Sequence, residues 1–168
     1  MRAQLKNFIE QIGKDAVAVI PAAREKTRSY DTEYRFHQDP DFYYLTGFPE
    51  PDAIAVIAPA NKKAPFTLFV RPRDPLMETW YGRREGVEGA KKNYGADRAL
   101  PIKKFEQELP KLLNGNEKLF YRFGVDAKSM EANVLWALRQ RHKSVRVVPF
   151  SPEITPTIEE LRKLEPRL

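Results

Sequence analysis

The chain has 168 residues, 42% hydrophobic and 31% charged, which fits one soluble compact domain with at most a short extra element at an end. Cysteine is absent and no apolar stretch approaches the roughly 20 residues of a bilayer span, which excludes disulfides, thiolate chemistry, cysteine-held metals and a membrane helix, and makes a cytoplasmic protein the expectation. The net charge of +6 would suit nucleic acid, but acidic residues are interspersed among most of the basic pairs, so solvated surface and no nucleic-acid partner are expected.

Residues Gln4 to Ile12 read as a helix, with Leu5, Phe8, Ile9 and Ile12 on one face and Gly13 as its stop. Its charges run throughout, unlike a signal peptide. Ala16 to Ile20 is a short β-branched run closed by Pro21, a buried strand. Ala22 to Pro40 has no clear period and reads as a long surface connection. Phe42 to Phe48 (FYYLTGF) reads as a strand by its aromatic content. Ala53 to Ile57 and Phe66 to Val70 are two further strands, antiparallel because the connection between them is too short to cross over.

Pro75 to Trp80 suits a short helix or turn, and Val87 to Tyr94 a helix ended by Gly95. Lys103 to Leu113 is a helix that Pro110 should kink or shorten. Lys118 to Arg122 is a strand. Ser129 to Gln140 is a helix with Ser129 as a candidate cap and Met130, Val134, Ala137 and Leu138 inward. Val145 to Phe150 is a strand, and Thr157 to Leu164 opens a final helix. This mixture argues for an α/β domain, a mixed β-sheet flanked by α-helices.

Motifs for chemistry are scarce. A metal site needs several converging donors, usually with histidine among them, and His37 and His142 stand far apart. His37 lies near Asp39 and Asp41, but a solvated or hydrogen-bonded loop histidine is the plainer reading. The sequence contains no HExxH, no phosphate loop, no GxGxxG and no GxSxG. No catalytic residue and no metal ligand is therefore assigned.

Two segments stand out. Arg28 to Phe48 (RSYDTEYRFHQDPDFYYLTGF) mixes arginine, aspartate and tyrosine, which fits either a peptide-binding surface or a loop knitted by salt bridges over the sheet edge. Met77 to Gly86 (METWYGRREG) puts Trp80 and Tyr81 beside a turn glycine and two arginines. That fits an exposed interface tryptophan better than a core one.

These segments carry a resemblance. YRFHQDPDFYYLTGFPEPDAIAVI, then TLFVRPRD, then ETWYGRREG is similar to the N-terminal domain of Xaa-Pro aminopeptidases (aminopeptidase P) of the creatinase/prolidase family. The likeness extends more loosely to YGADRAL and TIEELR. His37 departs from the family, which more often has arginine or another polar residue there.

The resemblance implies the creatinase N-terminal fold, ribonuclease H-like. It assigns residues 1–154 to that domain and 155–168 to the start of a linker helix toward a catalytic domain not contained in this sequence. In the family that "pita-bread" domain holds two manganese ions with two Asp, one His and two Glu, and a metal-bound hydroxide attacks the bond before a proline at the second position of the peptide. The chain would then be a non-catalytic domain that controls substrate access and makes homo-oligomer contacts. Trp80 and, on a looser alignment, Arg146 are the expected substrate-contacting residues. The alternative is a catalytically inactive peptide- or protein-binding module of the same fold.

Overall fold

A computed structural model describes residues 3–30, 32–122, 128–139 and 146–149. Helix α1 (Ala3–Ile12) buries Leu5, Phe8 and Ile12, the stripe its spacing predicts. Strand β1 (Ala16–Pro21) is buried at every position but Pro21, as a strand covered on both faces must be. Within the following connection, β2 (Thr27–Ser29) and β3 (Thr32–Glu33) pair as a small ribbon, exposed along its length.

The segment expected as a strand at Phe42 to Phe48 is instead helix α2 (Pro40–Thr46). Its ends explain the difference. The Asp39 carboxylate accepts the N–H groups of Asp41 and Phe42 at 3.0 and 2.9 Å, and Pro40 sits in the first turn, where its missing N–H forfeits no bond within the helix. At the other end Gly47 takes φ 64°, and its N–H donates to the Tyr43 carbonyl, a left-handed cap. These local bonds outweigh the β preference of the aromatics, which depends on context. Phe42 and Leu45, three apart, point into the core.

Strands β4 (Ile54–Ile57) and β5 (Phe66–Val70) are antiparallel as expected. Helices α3 (Pro75–Tyr81) and α4 (Gly86–Tyr94) follow, the second ended by Gly95 at φ 70°. Strand β6 (Arg98–Pro101) was not anticipated. It pairs in parallel with β5, Leu68 opposite Ala99, at the edge of the sheet, where its terminal proline is tolerated. A 3-10 turn (Ile102–Lys104) then leads into α5 (Phe105–Leu113), which runs on past Pro110 and forfeits one internal hydrogen bond there.

Strand β7 (Lys118–Tyr121), helix α6 (Lys128–Arg139) and strand β8 (Arg146–Pro149) complete the described elements. Because α6 starts at Lys128, Ser129 lies inside the helix and is not its cap. Val134 and Ala137 are buried and Leu138 packs against them. The Met130 side chain, His142 and the helix expected at Thr157 to Leu164 lie outside the described residues.

The main sheet has the order β6-β5-β4-β1-β7-β8. Strand β4 alone runs against its neighbours, and the other pairings are parallel. Alternate residues feed two cores, as the two-residue strand period requires. Ala16, Ala18 and Ile20 meet α1, α2 and α4 on one face. Val17 and Val19 meet α5 and α6 on the other. The result is the expected mixed sheet between two helical layers.

Candidate functional site

Helix α3 leaves the carboxyl end of β5 and none of its residues is buried. Asp74 starts it by accepting the Leu76 and Met77 N–H groups. Gly82, at φ 83°, ends it by donating its N–H to the Glu78 carbonyl. Between these caps Leu76 is 80% exposed and Trp80 83%, with Met77 and Tyr81 exposed beside them. Positions 76, 77, 80 and 81 share one helical face, so the helix presents a continuous apolar strip to its surroundings. A tryptophan buried over the sheet is thereby ruled out.

The strip is held stiffly. Arg73 grips Glu78 through two parallel bonds, Nε to Oε1 at 2.9 Å and Nη2 to Oε2 at 2.8 Å, the geometry a planar guanidinium favours. That hydrogen bonding, ahead of every other influence, lowers the Glu78 carboxyl to about 2. Behind the helix, the chain turns at Gly86 with φ 63°, and a Cβ there would lie 2.7 Å from Arg73 Cγ. The Glu85 N–H donates to Glu50 Oε1 at 2.6 Å. Burial is the main cause that raises the Glu50 carboxyl above its ordinary value. Glycine in RREG is thus a packing requirement of the Arg73 side chain.

A second feature lies where β1 and β7 end. The connection 22–40 arches over these strand ends and is pinned by Gln38. Its Oε1 accepts the Ala23 N–H at 2.8 Å, and its Nε2 donates to the carbonyls of Phe48 and Glu50 at 3.3 and 2.9 Å. Next to it, Asp39 Oδ2 receives Arg122 Nη2 at 2.8 Å, and Arg122 Nη1 lies 3.5 Å from Asp41 Oδ2. Under the arch is a cavity of about 650 Å³ whose lining includes Lys26, Arg35, Phe36, His37 and Arg122. The loop is tied down by salt bridges, the second of its two readings, and it encloses space.

The sequence-assigned residues are placed apart. Trp80 rides on α3, past the carboxyl end of β5. Arg146 opens β8 at the opposite edge of the sheet, paired with Lys118 of β7. His37 lines the cavity. Among the described residues no three or more His, Cys, Asp or Glu side chains are grouped to hold a metal ion. None of the described helices is long and apolar enough to cross a membrane. Sequence reasoning missed Arg122, for which no local signal exists: it meets Asp39 only because β7 lies beside β1.

Comparison with known proteins gives a consistent result. The family described as "Aminopeptidase P, N-terminal domain" matches residues 1–121. Xaa-Pro aminopeptidase of Escherichia coli K12 is 36% identical over 160 residues, covering 92% of this chain and 36% of the relative. Xaa-Pro aminopeptidase 3 of Mus musculus is 40% identical over 161 residues, covering 84% of this chain and 32% of the relative. Among solved structures, the Pseudomonas aeruginosa aminopeptidase PepP superposes with a TM-score of 0.82 at 32% identity, covering 90% of this chain and 36% of that one. The low-pH form of E. coli aminopeptidase P gives 0.84 at 33% identity, covering 95% and 37%. The chain therefore spans only about a third of these relatives' length.

Proposed function

Because the chain belongs to the aminopeptidase P N-terminal domain family, we propose that it is the non-catalytic part of an Xaa-Pro aminopeptidase and governs how peptides reach the catalytic domain. The observation that carries this reading is the strip on α3. A capped, ion-paired helix that leaves Leu76 and Trp80 almost wholly in solvent is built to meet something else.

In the proposed assembly the metal ligands, a manganese pair in the family, come from the catalytic domain. Activation of water belongs there as well. The substrate is a peptide with proline at its second position, the enzyme is a cytoplasmic homo-oligomer, and Trp80 faces the substrate, across a subunit boundary. The contribution of this chain is orientation. A stiff aromatic wall restricts the poses of a short peptide, and correct positioning alone contributes several kcal/mol to a reaction barrier. Arg146 is proposed as a second contact.

The test is a protein in which this domain is joined to its metal-binding partner domain. Trp80→Ala should lower kcat/KM on a tripeptide such as Gly-Pro-Gly by about tenfold or more, roughly the loss of one interface aromatic. The same change should matter less for longer peptides, which have other contacts. Arg146→Ala, assayed alongside, should raise KM. Unchanged kcat/KM in the tryptophan variant would reject the substrate-facing role. If the complete protein lacks the downstream carboxylate and histidine ligands, the alternative of an inactive binding module replaces the enzyme reading.

A further inference from the structure

The cavity under the 22–40 arch sits where the fold itself creates an opening. Strands β1 and β7 are parallel neighbours. The chain leaving β1 goes to α2, which packs on one face of the sheet. The chain leaving β7 goes to α6, which packs on the other. Adjacent parallel strands whose exits diverge leave a crevice at their carboxyl ends, the place where open α/β sheets bind ligands. Pro21, the last residue of β1, and Arg122, just beyond β7, both line the cavity.

Its walls combine apolar surface with positive charge. Ala22 and Phe36 supply the first, and Arg24, Lys26, Arg35 and Arg122 the second; the acidic residues of the lining, Glu25 and Asp39, are paired with Arg71 and Arg122. Arg122 is engaged by Asp39 and Asp41. Lys26 and Arg35 are exposed, and no ion pair with another described residue occupies either side chain. Both line the cavity, one before and one after the small ribbon, whose base is closed by the Tyr34 N–H donating to the Lys26 carbonyl at 2.9 Å. The ribbon's strands are exposed throughout, and at its turn Tyr30 is fully exposed with φ 43°, an uncommon conformation for a bulky residue.

We propose that this cavity binds a short peptide carrying a carboxylate, its apolar side chain against Ala22 and Phe36 and its carboxylate at Lys26 and Arg35. Two cations without an ion pair to any described residue, beside an apolar wall, match that chemistry. Arginine forks onto carboxylate oxygens, and lysine adds a point charge. The proposal goes beyond the Trp80 reading and stands separately from it, since Trp80 lies on a different element.

The experiment titrates the isotope-labelled 168-residue chain at low salt with acetyl-Ala-Leu-Asp and with the neutral acetyl-Ala-Leu-Asn-amide, followed by backbone amide shifts. The expected result is saturable shifts at Ala23, Lys26 and Gln38 with the acidic peptide, and at least about tenfold weaker binding of the neutral one. Raising the salt should weaken the acidic complex. The Lys26→Glu/Arg35→Glu pair should lose about tenfold in affinity with an unchanged melting temperature. The milder Lys26→Gln/Arg35→Gln pair should lose less, in the same direction. Equal affinity for the two peptides, shifts centred on α3, no saturation in the millimolar range, or full affinity in the charge-reversed pair would each overturn the proposal. Any of those results leaves the Trp80 assay to be decided by itself.

Discussion

One carboxylate, that of Asp39, performs two separable tasks. Its Oδ1 caps α2 through the Asp41 and Phe42 N–H groups, and its Oδ2 holds Arg122 at 2.8 Å. Asp39→Ala removes both. Loss of a helix cap costs about 1 kcal/mol. The ion pair, with the arginine side chain 35% exposed, contributes about 0.5–1 kcal/mol. The expected total is about 1.5–2 kcal/mol, or a fall in Tm of about 3–8 °C for a chain of this size. Asp39→Asn keeps an oxygen where the cap needs one and gives up only the charge, so it should cost about 0.5–1 kcal/mol. Urea unfolding of the 168-residue chain measures both, as a shift in midpoint with the slope unchanged. If asparagine proves as damaging as alanine, the cap is not what Asp39 provides. If alanine stays within about 0.5 kcal/mol of the parent, as an ordinary surface change would, the reasoning fails altogether.

Two further outcomes test the support of α3. Glu78 has its pKa lowered to about 2 by the Arg73 hydrogen bonds. Its contribution is therefore present in full above the ordinary carboxylate value and is lost as pH falls toward about 2. The side-chain carboxyl carbon of Glu78, followed by NMR, should titrate below the ordinary carboxylate value, whereas a Glu78 titrating at 4.5 would contradict the pairing. Gly86→Ala combines a left-handed φ of 63° with a Cβ placed 2.7 Å from Arg73 Cγ. It should lower stability by about 1–3 kcal/mol, read by thermal unfolding, and a neutral effect would show that Arg73 has room to move.

What could be read in advance was local. Leu5, Phe8 and Ile12 announce α1 by spacing alone, and the short apolar runs at Ala16 to Ile20 and Phe66 to Val70 announce β1 and β5. The exposure of Trp80 was also legible, from the turn glycine and two arginines that follow it in METWYGRREG. Helix α2 was misread although its signals were present: Asp39, Pro40 and Gly47 mark its two ends, and aromatic content was given more weight than caps. Strand β6 has a single large apolar residue, Leu100, and owes its existence to β5 alongside. The cavity was not legible at all. It depends on β7 lying next to β1, and on Gln38 and Arg122 reaching partners that no spacing rule connects.

The placement of β1 also bears on how the chain folds as it is synthesised. Ala18 faces Ile57 on one side but Phe120 on the other. A nascent chain that has emerged as far as β6 can assemble four strands in final order, yet it leaves one flank of the apolar strand β1 without a hydrogen-bonding partner. Such an open flank templates association with other chains. Growing chains halted between β6 and β7 should therefore be the aggregation-prone species, and the bond from Arg122 to Asp39 would form only once that flank is covered.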